Sequence, residues 1–223
     1  MRTFVTVAML VLTCATTFAQ EPAKDLKKEP RPKDAAALFT AMAAMTGLEA
    51  AFDEEKHLSL LAVPLTSKGK LFFARQPDGG YLTRIVESPE PSTVRISPKE
   101  LRVENRDGTE TIDLQRSDKV RTFVMALVQV FSGDKDALAK SFTVDFTLDT
   151  KNEQGWTLVL TPRGKPLDQM MRSLSLVGEG TAVVRIEMLD PNGDRTVTKV
   201  TAANASRTFD AAEKKKLFGI EPR

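Results

Sequence analysis

The sequence predicts an α+β protein whose body is one antiparallel sheet, and three observations carry that prediction. Over residues 58–200, short runs place an apolar residue at every second position, as in Phe142-Thr143-Val144-Asp145-Phe146-Thr147-Leu148. Such a run gives a strand one apolar face and one wet face. The runs are joined by tight-turn sequences such as Pro77-Asp78-Gly79-Gly80, Asn105-Arg106-Asp107-Gly108 and Pro191-Asn192-Gly193, and hairpin joints make neighbouring strands antiparallel. Helical periodicity is confined to a few stretches, too few to cover fully the apolar face of roughly ten strands, a number at which a sheet normally curls. The apolar surface left over is of a kind that holds a lipid.

The first nineteen residues read as an export signal. Arg2 gives a positive start, residues 4–12 are mostly apolar, and Thr17-Phe18-Ala19 offers a small-residue cleavage site before Gln20. Cys14 is the chain's single cysteine and Thr13 precedes it, where a lipoprotein signal carries Gly, Ala or Ser. Cys14 therefore reads as a small apolar residue of the signal core, with lipidation as the alternative. Cleavage after Ala19 leaves no cysteine, which excludes disulfides, thiol catalysis and cysteine metal ligation. No other stretch approaches eighteen apolar residues, so the exported chain is expected to be soluble.

About 200 residues remain, a length that suits one domain. The 32 basic and 30 acidic side chains nearly balance, so nothing points to nucleic acid. Residues 20–33 hold three prolines, several lysines and almost nothing apolar, and read as a flexible leader. A sharper reading gives Lys24, Lys27, Lys28, Arg31 and Lys33 a contact with a membrane surface or a partner. The folded domain is then residues 34–223.

Within it, Asp34 caps a helix expected to run to about Phe52, because Leu38, Met42, Met45, Leu48 and Phe52 make one stripe, weakened by Gly47. Strands follow at 58–65, at 70–75 with Leu71, Phe73 and Arg75 on one face, and at 81–86. Ser88-Pro89-Glu90-Pro91-Ser92 breaks the chain before strands at 93–97, 100–105 and 109–114, whose inward members are Val94 and Ile96, Leu101 and Val103, and Ile112 and Leu114. Ser117 or Asp118 caps a second helix, in which Val120, Phe123, Val124, Leu127, Val128 and Phe131 follow the helical period and Gly133 stops it. Residues 134–140 add a further turn. Strands at 142–149 and 156–161 form a hairpin, 166–172 a short helix bearing Leu167, Met170 and Met171, and 173–177, 181–189 and 195–203 the last strands. A charged helix at 210–217 closes the chain.

Catalytic and metal chemistry finds little to work with. His57 is the single histidine, so neither a conventional zinc site nor a Ser-His-Asp triad can be assembled, and it reads as a polar residue between the first helix and the first strand. Asp190-Pro191-Asn192-Gly193-Asp194 begins like a calcium loop but has Arg195 where the loop needs glycine and Thr201 where it needs glutamate, so it reads as a hairpin turn. There is no glycine-rich phosphate loop, and no carboxylate pair stands out. The expectation is no enzyme, no cofactor and no metal, against the alternative of a hydrolase built on Asp and Glu alone. Phe123, Leu127 and Phe131, with Met170 and Met171, read first as core and second as an adaptable apolar surface suited to an acyl chain.

Gly69-Lys70-Leu71-Phe72-Phe73-Ala74-Arg75-Gln76-Pro77, followed by Tyr81-Leu82-Thr83-Arg84 and Ser88-Pro89, resembles the early strands of outer-membrane lipoprotein carrier proteins, the LolA-like family. Phe52 with Leu48 is placed near the end of the family's first helix. Further likeness lies in Phe142, in Trp156-Thr157-Leu158-Val159-Leu160-Thr161-Pro162, in Asp194-Arg195-Thr196 and in Asn204 ahead of Phe209. The likeness runs over most of residues 38–209. Residues 84–87 lack the tryptophan often found there in the family, which points to a divergent branch and leaves a fatty acid, a glycolipid or a pigment precursor as alternative cargo.

The resemblance implies a curved antiparallel half-barrel of about ten or eleven strands with a helical lid over an apolar cavity. It implies a periplasmic carrier of acylated lipoprotein or another acyl lipid, working as a monomer between an inner-membrane release complex and an outer-membrane receptor. Leu71, Phe73, Val94, Leu101, Val103, Phe142, Val144, Phe146, Leu158 and Leu160 are expected to line the cavity, and Phe123, Leu127 and Phe131 to form its lid. Arg75 matches a family arginine that locks the lid through backbone carbonyls; its plainer reading is a surface charge on an edge strand. Two other functions stand beside the carrier: a sensor module of the same fold that signals through protein contacts, and an envelope protein anchored at Cys14.

Overall fold

The computed structural model describes residues 31–221. The expected signal segment, Cys14 and residues 20–30 of the leader lie outside the described residues. Asp34 does cap the first helix, α1 (Ala35–Ala44), accepting a bond of 2.8 Å from the Ala37 amide. The helix then stops eight residues short of its expected end. Leu48 and Phe52 belong instead to a strand, β1 (Gly47–His57). The residues 48–53 satisfy period two as well as period three-to-four: Leu48, Ala50 and Phe52 alternate with Glu49, Ala51 and Asp53. Pairing on both sides decides the contest, because β1 is bonded to β2 (Leu65–Gln76) and to β11 (Arg195–Asn204). Such a tertiary ladder overrides local propensity.

The strand expected at 58–65 is also absent. Residues 58–64 form the hairpin loop from β1 to β2, and His57 is the last residue of β1 rather than a link after a helix. The remaining strands are β3 (Gly79–Ser88), β4 (Ser92–Ile96), β5 (Glu100–Asn105), β6 (Gly108–Asp113), β7 (Phe142–Leu148), β8 (Gly155–Pro162), β9 (Ser173–Glu179) and β10 (Ala182–Leu189). All eleven form one curved, open antiparallel sheet in the order β6-β5-β4-β3-β2-β1-β11-β10-β9-β8-β7. Two meanders thus meet where the last strand pairs with the first.

Between the meanders run α2 (Asp118–Ser132) and α3 (Lys135–Ser141), separated by Gly133 in the left-handed conformation at φ 65°. Gly133 also lies where a Cβ would meet Phe39 O and the Ala43 amide, so its bareness lets α1 cross the end of α2. Residues 166–172 reduce to a 3₁₀ turn at Leu167–Gln169. These helices cover one face of the sheet. The last helix, α4 (Ala211–Phe218), covers part of the other face: Phe209 and Phe218 pack with Phe72 and Ala74. Thr83, buried on that outer face, donates to Leu217 O at 2.8 Å.

Candidate functional site: the sheet face beneath the helices

Strand register decides which side chains share the inner face. In the first meander, Leu48, Phe73, Leu82, Ile96, Leu101 and Ile112 stand side by side across five pairings. The next row is Ala50, Leu71, Arg84, Val94, Val103 and Glu110. In the second meander the rows are Val144, Leu160, Leu174, Met188 and Thr196, then Phe146, Leu158, Leu176, Ile186 and Thr198. All ten sheet residues expected from the sequence therefore lie on one face, the face the helices cover.

Burial divides them. Phe73, Phe142, Leu158 and Leu160 are no more than 1% exposed and build the core beneath α1, α2 and α3. Leu71, Val94, Leu101, Val103, Val144 and Phe146 are half-buried and line the open part of the face. On α2, Phe131 stacks on Phe73 with ring centres 6.3 Å apart, and Phe123 packs against both halves of the core. Leu127 is half-buried against the second half.

Arg75 sits at the joint between sheet and helices. Its Nε donates to Met45 O at 3.1 Å, and its Nη2 donates to Ser132 O at 2.8 Å and to Met42 O at 3.4 Å. One guanidinium thus gathers the carboxyl ends of α1 and α2 onto β2, where carbonyls carry the negative end of the helix dipole. The same guanidinium lies 5.8 Å from the centre of the Phe73 ring. β2 is an interior strand, so the edge-strand reading of Arg75 is wrong.

A polar patch in the middle of the inner face escaped the sequence reading. Arg84 donates to Glu54 Oε1 at 2.7 Å, and Thr198 donates to Glu54 Oε2 at 2.9 Å. Arg84 also lies over the Phe52 ring, 4.8 Å from its centre. The available signal was parity: Arg84 shares the parity of Leu82 and Val86, and Glu54 that of Phe52, so both charges occupy inward positions. Near this patch a shallow cleft of about 370 Å³ opens, lined by Asp53, Glu55, Ser67, Lys68 and Pro89 among others. The Lys199 ammonium bonded to Glu55, with His57 beside it, holds the Glu55 carboxyl below the usual range. No group of three or more His, Cys, Asp or Glu side chains suited to a metal occurs among the described residues. The segment 190–194 closes a hairpin, with the Asp190 amide donating to Asp194 O at 2.8 Å.

Comparison with known proteins bears on this arrangement. The sequence model of the family described as outer membrane lipoprotein carrier protein LolA-like matches residues 28–219. A search of curated proteins found no match. Among solved structures, the chain is similar to one in the complex of Pseudomonas aeruginosa MucA and MucB, with 14% identity and a TM-score of 0.44, over 81% of this chain and 62% of that one. It spans less than two thirds of that relative. A DUF1329 family protein from Desulfovibrio piger gives 12% identity and 0.45, over 82% and 96% of the two chains. A LolA superfamily protein from Nitrosomonas europaea gives 9% and 0.39, over 79% and 94%. With the family match running from the leader through α4, this chain belongs to the outer membrane lipoprotein carrier LolA-like family.

Proposed function

We propose that the protein is a periplasmic binding module that takes up the acyl chains of lipoproteins or lipids on its inner sheet face and moves them between the inner and outer membranes, without catalysis. The observation that carries this reading is the half-buried apolar surface running beside α2, formed by Leu71, Val94, Val103, Val144 and Phe146 together with Phe123 and Leu127. Each CH₂ buried there contributes about 0.8 kcal/mol, so one acyl chain of about sixteen carbons gains on the order of 10 kcal/mol before entropic losses. A carrier must also release. Packing of α2 on the same rows competes with cargo for one surface, and Arg75 sets how firmly the helices close.

A second reading, a sensor that binds a protein segment, draws on the Glu54–Arg84–Thr198 patch, whose donors and acceptors suit a peptide backbone.

Uptake of a fluorescent fatty acid separates the two. Phe146→Glu places a charge on the half-buried row, and it is expected to weaken uptake by about tenfold or more while the far-ultraviolet circular dichroism stays that of the wild type. Unchanged uptake would remove Phe146 and its row from the site. A wild-type protein that takes up no probe but captures an envelope protein segment would favour the sensor.

A further inference from the structure

The exposed large apolar side chains recorded among the described residues gather in one place. Leu60 is 94% exposed, Leu61 46%, Val63 70% and Leu65 51%, and all four lie between His57 and Thr66 where β1 turns into β2. Scattered single exposures need no explanation, but a contiguous apolar tip marks a contact surface. Ser59 is the one polar side chain in residues 58–65.

The loop is held outward by its root. The Leu61 amide donates to Leu58 O at 3.0 Å, closing a turn, and the Ser59 amide donates to Asp194 Oδ1 at 2.7 Å, fastening the loop to the β10–β11 turn. That amide, with the Asn192 side chain, holds the Asp194 carboxyl below the usual range. The registers put this loop at the strand ends remote from Arg75 and the ends of α1 and α2, since β1 runs from Gly47, paired with Ala74, to Lys56, paired with Leu65.

Size and charge indicate what the tip meets. A stable protein interface uses about 20–30 residues a side, and this projecting loop, residues 58–64, with the first residue of β2 is far smaller. Charges at its root balance in sign: Lys68 pairs with Asp53 at 3.6 Å, Lys199 with Glu55 at 3.2 Å and Arg195 with Glu187 at 3.7 Å. Exposed Lys56 makes no ion pair among the described residues, but its charge is offset by the nearby Asp190 and Asp194 carboxylates. An apolar tip above a neutralised rim suits the boundary between lipid headgroups and acyl chains. Because loop backbone cannot be satisfied in hydrocarbon, only the side chains at the tip enter.

We propose that residues 58–65 are a membrane-contact tip that seats Leu60, Leu61 and Val63 in the interface of a phospholipid bilayer. Leu60, Leu61 and Val63 lie in the loop beyond the end of the inner sheet face, whose last row Leu65 continues, and the proposal does not rest on the carrier reading.

The test is flotation of the protein with vesicles of phosphatidylcholine and phosphatidylethanolamine. The wild type is expected to float, and Leu60→Glu with Leu61→Glu to float about tenfold less. Raising salt to about 0.5 M should change the wild-type fraction by less than about twofold, because no charge attraction is used. Insertion itself is read with Leu60→Trp, whose fluorescence should shift to the blue and be quenched by brominated acyl chains. Lys99→Trp, in the turn at the opposite strand ends, should do neither; Trp156 is buried and supplies a constant background. Equal flotation of wild type and double variant, no flotation of either, or an unquenched Leu60→Trp variant would each overturn the proposal. A dimer that the double variant abolishes, without vesicle binding, would overturn it in favour of a second copy of the chain. All three substituted positions are exposed, and fatty-acid uptake by the double variant should match the wild type, so failure here leaves the inner-face reading standing.

Discussion

Replacing Arg75 by methionine is expected to lower the unfolding free energy by about 2–3 kcal/mol and to loosen α1 and α2 from the sheet. The side chain donates to three carbonyls that belong to two helix ends, and methionine fills similar space while donating nothing. A charged donor bond contributes about 1.5–3 kcal/mol where it is shielded, and Arg75 is only half-buried, so the three together are placed near the value of one shielded bond. Hydrogen exchange should quicken at the carboxyl ends of α1 and α2 before it quickens in β2. Arg75→Lys should recover little, because an ammonium lacks the planar fork that reaches both Met45 O and Ser132 O. Under the carrier reading, the methionine variant takes up acyl probe faster. An unchanged urea midpoint would show that Arg75 is not the joint.

Gly178→Ala is expected to cost about 3 kcal/mol or more. A Cβ at this position would overlap Trp156 at Cζ2 and Cε2 and would stand 2.7 Å from Ala182 O. The indole cannot retreat. It is 1% exposed, its Nε1 donates to Gly180 O at 2.7 Å, and its ring stacks on Phe146 at 6.1 Å. The bare glycine on β9 is thus the floor on which the tryptophan of β8 lies, in the pairing Trp156↔Gly178. A double-mutant cycle makes this specific: with Trp156→Leu already in place, Gly178→Ala should cost at least about 1 kcal/mol less than it does alone. Strict additivity would mean that the strain lies in the backbone and not against the indole.

Much of the fold could be read from local pattern because its joints are local. The period of α2 with its glycine stop, the β7–β8 hairpin and the meander from β2 to β6 are each specified within a few residues. So is the parity that puts Leu71, Val94 and Phe146 on the same face. Where reading failed, the deciding contact was distant in sequence. Residues 45–52 carry helical spacing and lose it because β11, more than a hundred residues later, pairs with β1. The apolar run at 58–65 looks like a buried strand because composition does not record that β1 has already taken the place in the sheet. Glu54, Arg84 and Thr198 come from three strands, and only the register makes them one patch. Only the family resemblance marks Arg75, since nothing near it in the chain shows that Ser132 O stands within reach.

Native mass spectrometry of the protein purified without detergent, with extraction and identification of any bound lipid, tests the central claim most directly. Binding of acyl chains on the inner face predicts an acylated species in stoichiometric amount, reduced in the Phe146→Glu variant. A protein that is empty as purified, and that also takes up no fluorescent fatty acid, would contradict it.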